Sequence, residues 1–530
     1  MLIKQIAALG GVLLAAQAAP ALAAPSEGCS TEAVQAMAPA GTTVAMAVRE
    51  VFADRDEVYS DENWGCRVSG WVTNQNPGPN RVMFNLTLPD NFNGRYVYLG
   101  VGGAAGKIPN MPQRLLARGF ALAGSDGGTG AKSIADFSFM AEPARLTDFI
   151  WRGVQTSAQA TQAITRAYYG REKLWRYISG CSGGGQMALG SARRFGGRDF
   201  DGFLVGATPF QASLFHPNVF GIAAHMQNHP ESWIPPAMMR SAGAGILAAY
   251  DDLDGAHDGI IHDPTAIVNF DYGILRKAGF SPAQIALFDR IRSTQKFPSG
   301  GVRGDGIHPG WSISDVSGWS RFLIGTTPPP WPGTNGRSPA DLLKQGVPFI
   351  HIMSDTKTRS MEPNTDYWKI PNFNEVVRIS SRGGTSMPLT DPMDYSALAA
   401  SGAKMIIWHG VDDESMSYLE SQAGYEALRS RFPTADNWVR YVPIPGLWHC
   451  RGGTGPTDHV EALLDAIIPW VEQGTAPEGF VANRLTYAGG RERSMLLCTE
   501  PRHAFLKAAG LDPKDAANWE CRGAGKSPGS

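Results

Sequence analysis

The chain has no excess of either charge. Its 47 lysines and arginines stand against 49 aspartates and glutamates, a formal net charge of −2 over 530 residues. That balance provides no basic footprint for a nucleic acid. Past the first two dozen residues no apolar run is long enough to cross a membrane. Cysteine is sparse, with six residues and no C-x-x-C pair, which argues against a zinc site. Repeats and low-complexity tracts are absent too. Glycine and proline are instead plentiful, 62 and 37 residues, as in a chain of many turns and ordered loops. With 43% hydrophobic residues the chain can bury a large core, expected as one big domain carrying an insertion. Nothing in the composition speaks to an oligomeric state.

The first residues, MLIKQIAALGGVLLAAQAAPALAAP, place Lys4 before an apolar stretch that ends in Ala21-Leu22-Ala23. This pattern predicts a secretory signal peptide over residues 1–23, and hence a secreted or periplasmic protein. In an oxidising compartment an even number of cysteines predicts disulfides. Proximity along the chain favours Cys29–Cys66 and Cys498–Cys521, which leaves Cys181 for Cys450.

The segment WRYISGCSGGGQMALGSARR reads as a short strand (Leu174 to Ile178), a glycine-rich turn, and a helix from Gln186 to Phe195. Strand, sharp turn and helix around G-x-S-x-G form the context of a nucleophile elbow, with Ser182 as the nucleophile. A pairing of Cys181 with Cys450 would hold Ser182 beside His449, which follows a strand in YVPIPGLWHCRGG. The acid is expected between serine and histidine in chain order. The stretch AKMIIWHGVDDESMS supplies two candidates at a strand end, Asp412 and Asp413, either of which could orient an imidazole.

These residues carry a resemblance. The chain resembles the tannase and feruloyl esterase family of α/β-hydrolases, whose Cys-Ser … Asp … His-Cys arrangement is matched by Cys181-Ser182, an aspartate of HGVDD and His449-Cys450. The resemblance implies an α/β-hydrolase fold with a large inserted lid. It also places the acid at the close of HG-x-x-D, at Asp413. An oxyanion hole needs two backbone N–H groups. Gly183, after the nucleophile, is one; Gly102 or Gly103, in the GG-x-x-G of LGVGGAAG, is the other, with Gly103 preferred.

Between FDGFLVGATPF and AKMIIWHG lie about 190 residues rich in tryptophan, proline and glycine, too many for a plain connection. The expected organisation is core over 24–208, lid over 209–400 and core again over 401–530. Within the lid segment, YDDLDGAHDGIIHDP crowds Asp251, Asp254 and Asp258 among glycines, a set of oxygen donors suited to Ca²⁺. It lacks the closing glutamate of an EF-hand. The family resemblance implies a structural lid calcium held by these aspartates and the carbonyls of Ala256 and Ile260. Many relatives have a cysteine where this chain has Tyr250. Trp233, Trp311, Trp319, Trp331 and Trp368 suit either an aryl-binding wall or the lid's own core. The function expected is a secreted serine esterase acting on a small aromatic ester of feruloyl, galloyl or terephthalate type. The alternatives are a peptidase or amidase on the same scaffold, or a non-catalytic calcium-stabilised binding protein.

Overall fold

The computed structural model describes residues 28–52, 63–210, 212–297, 306–361, 394–486 and 490–523. The segment 1–23 lies outside them, as does Trp368. The centre of the molecule is one nine-stranded sheet: β1 (Thr42–Phe52), β2 (Asn63–Asn74), β3 (Asn80–Pro89), β4 (Arg95–Leu99), β5 (Ala121–Ser125), β6 (Trp175–Cys181), β7 (Gly202–Gly206), β8 (Lys404–Gly410) and β9 (Val439–Ile444). Their spatial order is β1-β2-β3-β5-β4-β6-β7-β8-β9. The first three strands and the β3–β5 pair are antiparallel. From β5 onward every neighbouring pair is parallel.

Parallel strands covered on both faces must be apolar on both. Alternation sorts their side chains accordingly. Tyr98, Ile178, Phe203, Met405 and Tyr441 face one cluster, against helices α1 (Gly153–Tyr169), α2 (Gly183–Phe195) and, near the chain's end, Tyr418–Arg431. Val97, Tyr177, Leu204, Ile406 and Val442 face the other, against Leu463, Ile467 and Trp470 of the helix His459–Gln473.

Between β7 and β8 the chain leaves the sheet. The excursion includes α3 (Ala212–Asn228), α4 (Pro236–Tyr250) and α5 (Phe349–Met361), with a hydrophobic cluster of its own around Phe220, Ile246, Phe288 and Ile350. Trp311, Trp319 and Trp331 are buried in that cluster. Trp233 packs against it and donates its indole N–H to the Ile324 carbonyl at 3.2 Å. The cluster also takes in Phe137 and Phe139 from the loop after β5, so the excursion docks on the sheet's upper rim. Tyr395 and Leu398, inside the expected lid segment, already pack in the sheet core. Among the described residues no helix is long and apolar enough to cross a membrane.

Candidate active site

Because β6, β8 and β9 run parallel, their carboxyl ends meet at one edge, where ligands of open α/β sheets bind. Ser182 stands between β6 and α2 with φ 61° and ψ −123°, a region costly for any residue with a Cβ. Its N–H donates to the Gly206 carbonyl at 3.0 Å, which ties the turn to β7. The glycines are required by close approach. A Cβ on Gly180 would stand 2.3 Å from the Gly184 oxygen, and one on Gly184 would stand 2.7 Å from the Gly100 carbonyl. The helix therefore begins at Gly183, three residues before the sequence pattern places it.

Past β8 the chain turns through Asp412 and Asp413, and the two carboxylates part company. Asp413 accepts the amides of Ser415 and Met416 on Oδ1, both at 2.8 Å. Its Oδ2 lies 2.7 Å from His449 Nδ1 and 3.1 Å from His409 Nε2. Burial alone would raise its pKa. The two imidazoles and their hydrogen bonds outweigh that and hold it well below the usual carboxylate range. Asp412 instead accepts the Ser314 hydroxyl and the Asp315 amide, and so fastens the inserted segment to the core. Burial, with the charge of Asp315, pushes its pKa up to about 7.

His449 is buried in the loop after β9. Its backbone N–H donates to Glu414 Oε2 at 2.8 Å, and Glu414 pairs in turn with Arg321 at 3.1 Å. Phe322 packs edge-on against the ring, with centroids 5.3 Å apart. Burial lowers the imidazole pKa, but Asp413 and Glu414 prevail and leave it above 6.5. With Nδ1 engaged by Asp413, Nε2 is the nitrogen left for chemistry. Among the described residues no hydrogen bond joins His449 to the Ser182 hydroxyl, a contact often loose before substrate binds. What joins them is covalent: Cys181, before the serine, is bonded to Cys450, after the histidine, with Cα atoms 5.8 Å apart. Cys29–Cys66 and Cys498–Cys521 form the other two disulfides. Closing a 269-residue loop restricts the unfolded chain by about 5 kcal/mol in the chain-entropy model.

Ser182, Gly183 and Gly103 line one cavity of about 110 Å³, walled by Phe137, Phe149, Phe215, Phe349, Met140, Met353 and Met416. The Gly183 N–H is the first of a helix and has no intrahelical acceptor. A Cβ on Gly183 would stand 2.9 Å from the Gly103 nitrogen, so the two backbones are in close contact. Gly102 sits beside Cys181 and Ser182, where its own Cβ would lie 3.8 Å from the Cys181 oxygen.

A family model described as "Tannase and feruloyl esterase" matches residues 66–522. The chain belongs to the tannase and feruloyl esterase family. It is a carboxylic ester hydrolase. It is 26% identical over 484 residues to a probable feruloyl esterase B-2 of Aspergillus terreus, with 86% of each protein covered. It is also 26% identical over 531 residues to a mono(2-hydroxyethyl) terephthalate hydrolase of Piscinibacter sakaiensis, covering 86% of this chain and 84% of that protein. In fold it is similar to a feruloyl esterase B from Aspergillus oryzae, with a TM-score of 0.75, 20% identity, and 92% and 100% of the two chains covered. A tannin acyl hydrolase from Aspergillus niger gives 0.72 at 20% identity, with 94% and 96% covered.

Several residues of this tannase-family site carry no sequence motif of their own. Glu414 follows the aspartates in HGVDDE and could have been read from that string. The phenylalanines and methionines of the cavity, with His216 and Lys357, come from segments that show no periodic signal. None of the described tryptophans lines the cavity.

The aspartate loop follows α4. Asp251 and Asp254 are buried, and Asp254 Oδ2 has no hydrogen-bond partner. Asp251 accepts the amides of Gly259 and Ile260, and Asp258 is held by Arg493 at 2.8 Å. Among the described residues no three acidic, histidine or cysteine side chains converge closely enough to hold a metal by themselves. His262 Nε2 lies 3.7 Å from Asp254 Oδ2. A buried carboxylate oxygen without a hydrogen bond, beside the other aspartates, fits a hard cation, with backbone carbonyls needed to complete its shell.

Proposed function

We propose that this tannase-family chain is an exported serine esterase that hydrolyses carboxylic esters of aromatic acids. The observation that carries the reading is the cavity, in which phenyl rings and thioethers surround Ser182 and leave room for a flat apolar acid. Ser182 Oγ attacks the ester carbonyl carbon while His449 Nε2 takes its proton. The Gly183 and Gly103 amides receive the developing negative oxygen. Collapse of the tetrahedral intermediate expels the alcohol, which leaves with the proton from His449, and the acyl group stays on Ser182. Water then attacks the acyl-enzyme and gives its proton to His449; collapse of the second intermediate expels Ser182 Oγ, which takes that proton back from His449, and the acid is released. Asp413 keeps the imidazole in the tautomer that bears its proton on Nδ1 and stabilises the imidazolium.

The excursion between β7 and β8 acts as a lid, since Phe215, Phe349 and Met353 of the cavity wall belong to it. Export is supported by three disulfides, which persist in oxidising compartments. Feruloyl, galloyl and terephthalate esters all present a ring to such a wall. Turnover of methyl ferulate, methyl gallate and mono(2-hydroxyethyl) terephthalate, compared with ethyl butyrate, tests the reading. At least one aryl ester should exceed the aliphatic ester in kcat/KM by about tenfold or more. A preference for ethyl butyrate over all three contradicts the proposal.

A calcium ion at Asp251, Asp254 and Asp258, with the carbonyls of Ala256 and Ile260, would neutralise carboxylates that the fold buries, and its role would be structural. Removing calcium with a chelator should then lower the Tm by several degrees, and added Ca²⁺ should restore it. An unchanged Tm in a protein that elemental analysis finds free of calcium contradicts the assignment and leaves the ester chemistry untouched.

A further inference from the structure

One cation stands in the apolar wall of the Ser182 cavity. Lys357, on α5, is buried, and its ammonium lies 2.6 Å from His216 Nε2 on α3 and 4.4 Å from the centroid of the Phe137 ring. Both Lys357 and His216 line the cavity. Among the described residues no carboxylate comes within ion-pair distance of Lys357. Asp355, on the same helix, is spent on Arg359 at 2.9 Å and on the amide and hydroxyl of Thr334. A buried ammonium without a counter-charge is costly, and burial draws the Lys357 pKa down to about 7. Burial, and then the charge of Lys357, put the His216 pKa well below 6.5, so the imidazole is neutral and its Nε2 accepts a hydrogen bond from the lysine ammonium. An ammonium has three donors. One goes to His216, and among the described residues the other two have no acceptor, which leaves them for something that enters the cavity.

We propose that Lys357, oriented by His216, binds an anionic oxygen on the aryl ring of the acid portion, and so selects esters of aromatic acids that carry a second acidic group. The inference rests on the aromatic-ester reading above. The anionic oxygen can belong to a carboxylate or to a phenolate, and monomethyl terephthalate, methyl 4-hydroxybenzoate and methyl benzoate separate these sources from each other and from the bare ring. Wild-type enzyme should favour one of the two substituted esters over methyl benzoate. In Lys357→Met, of similar length and apolar, that preference should fall by about tenfold or more, the loss expected for a hydrogen bond to a charged group, and mainly through KM. A Lys357 that only fills the wall would lower kcat for all three esters alike and leave their ratio intact.

Inhibition of the wild type gives the same answer with no variant. Terephthalate or 4-hydroxybenzoate, matching the preferred ester, should inhibit about tenfold more strongly than benzoate. Equal turnover of the three esters, or an intact preference in Lys357→Met, overturns this proposal alone. No turnover of these three esters by a wild type that cleaves methyl ferulate or methyl gallate also overturns this proposal alone; no turnover of any aryl ester overturns the aromatic-ester reading, and this proposal falls with it.

Discussion

Ser182→Ala is expected to lower ester turnover by on the order of 10⁴- to 10⁶-fold and to leave the Tm close to that of the wild type. The loss is large because among the described residues no second nucleophile stands at the elbow; the other nucleophilic side chains of the cavity wall, Lys357 and His216, are engaged with each other. Alanine still carries a Cβ, so the strained φ of 61° is neither relieved nor worsened, and the elbow should keep its shape. His449→Ala should lose nearly as much, because nucleophile and base act as a unit. Initial rates on a p-nitrophenyl ester, with melting curves on the same samples, check both variants. Retention of more than a few per cent of activity by Ser182→Ala contradicts the assignment.

Asp413→Asn should reduce kcat by about 10⁴-fold, as expected when a triad acid can no longer hold the histidine tautomer. Here the effect is sharpened by geometry, because Asp413 Oδ2 is shared between His449 at 2.7 Å and His409 at 3.1 Å. An amide in its place could accept from the rings only by turning its NH₂ onto the Ser415 and Met416 amides, which are themselves donors. Asp412→Asn should cost no more than a few-fold. Its carboxyl is pushed up to about 7 by burial, away from the charged form, and an amide oxygen can still accept from Ser314 and Asp315. Steady-state kinetics on the two variants in parallel make the comparison. Equal losses would show that the turn after β8 presents the wrong carboxylate to His449.

The two aspartates also show how far the residues alone can be read. Adjacent and chemically identical, they become distinguishable only when the turn sends one toward His449 and the other toward the inserted segment. The family motif at HG-x-x-D selected Asp413, which local pattern could not. The elbow was legible because strand, glycine run and helix are contiguous. Its helix start was not, since glycines read as loop until their contacts with Gly100 and Gly206 are seen. The tryptophans mark a large apolar mass without saying which side of it meets substrate. Most of those described turned out to be core of the inserted segment, and the cavity is walled by phenylalanine and methionine. Lys357 shows the same limit from the polar side. In FIHIMSDTKTRSM it looks like a solvent-facing lysine, and only the packing of α3 against α5 buries it beside His216.

The disulfide between Cys181 and Cys450 belongs to both levels. Its pairing followed from chain proximity among the six cysteines, and its consequence is geometric: the residues next to Ser182 and His449 are fixed 5.8 Å apart at Cα. Reacting atoms must meet within roughly 3 Å, and small displacements are costly in rate. In the proposed mechanism, a covalent tether between the loops that carry the two groups would serve chemistry as well as stability.

The central claim, that Ser182 carries the acyl group, is tested most directly by covalent labelling. The native enzyme would be treated with an activated aryl phosphonate, which forms a stable adduct with an activated serine, and the labelled peptide sequenced by mass spectrometry. The account predicts one adduct per chain, on Ser182, formed in step with loss of esterase activity and strongly slowed in Asp413→Asn. An adduct on a different residue, or full loss of activity with Ser182 unmodified, would contradict it.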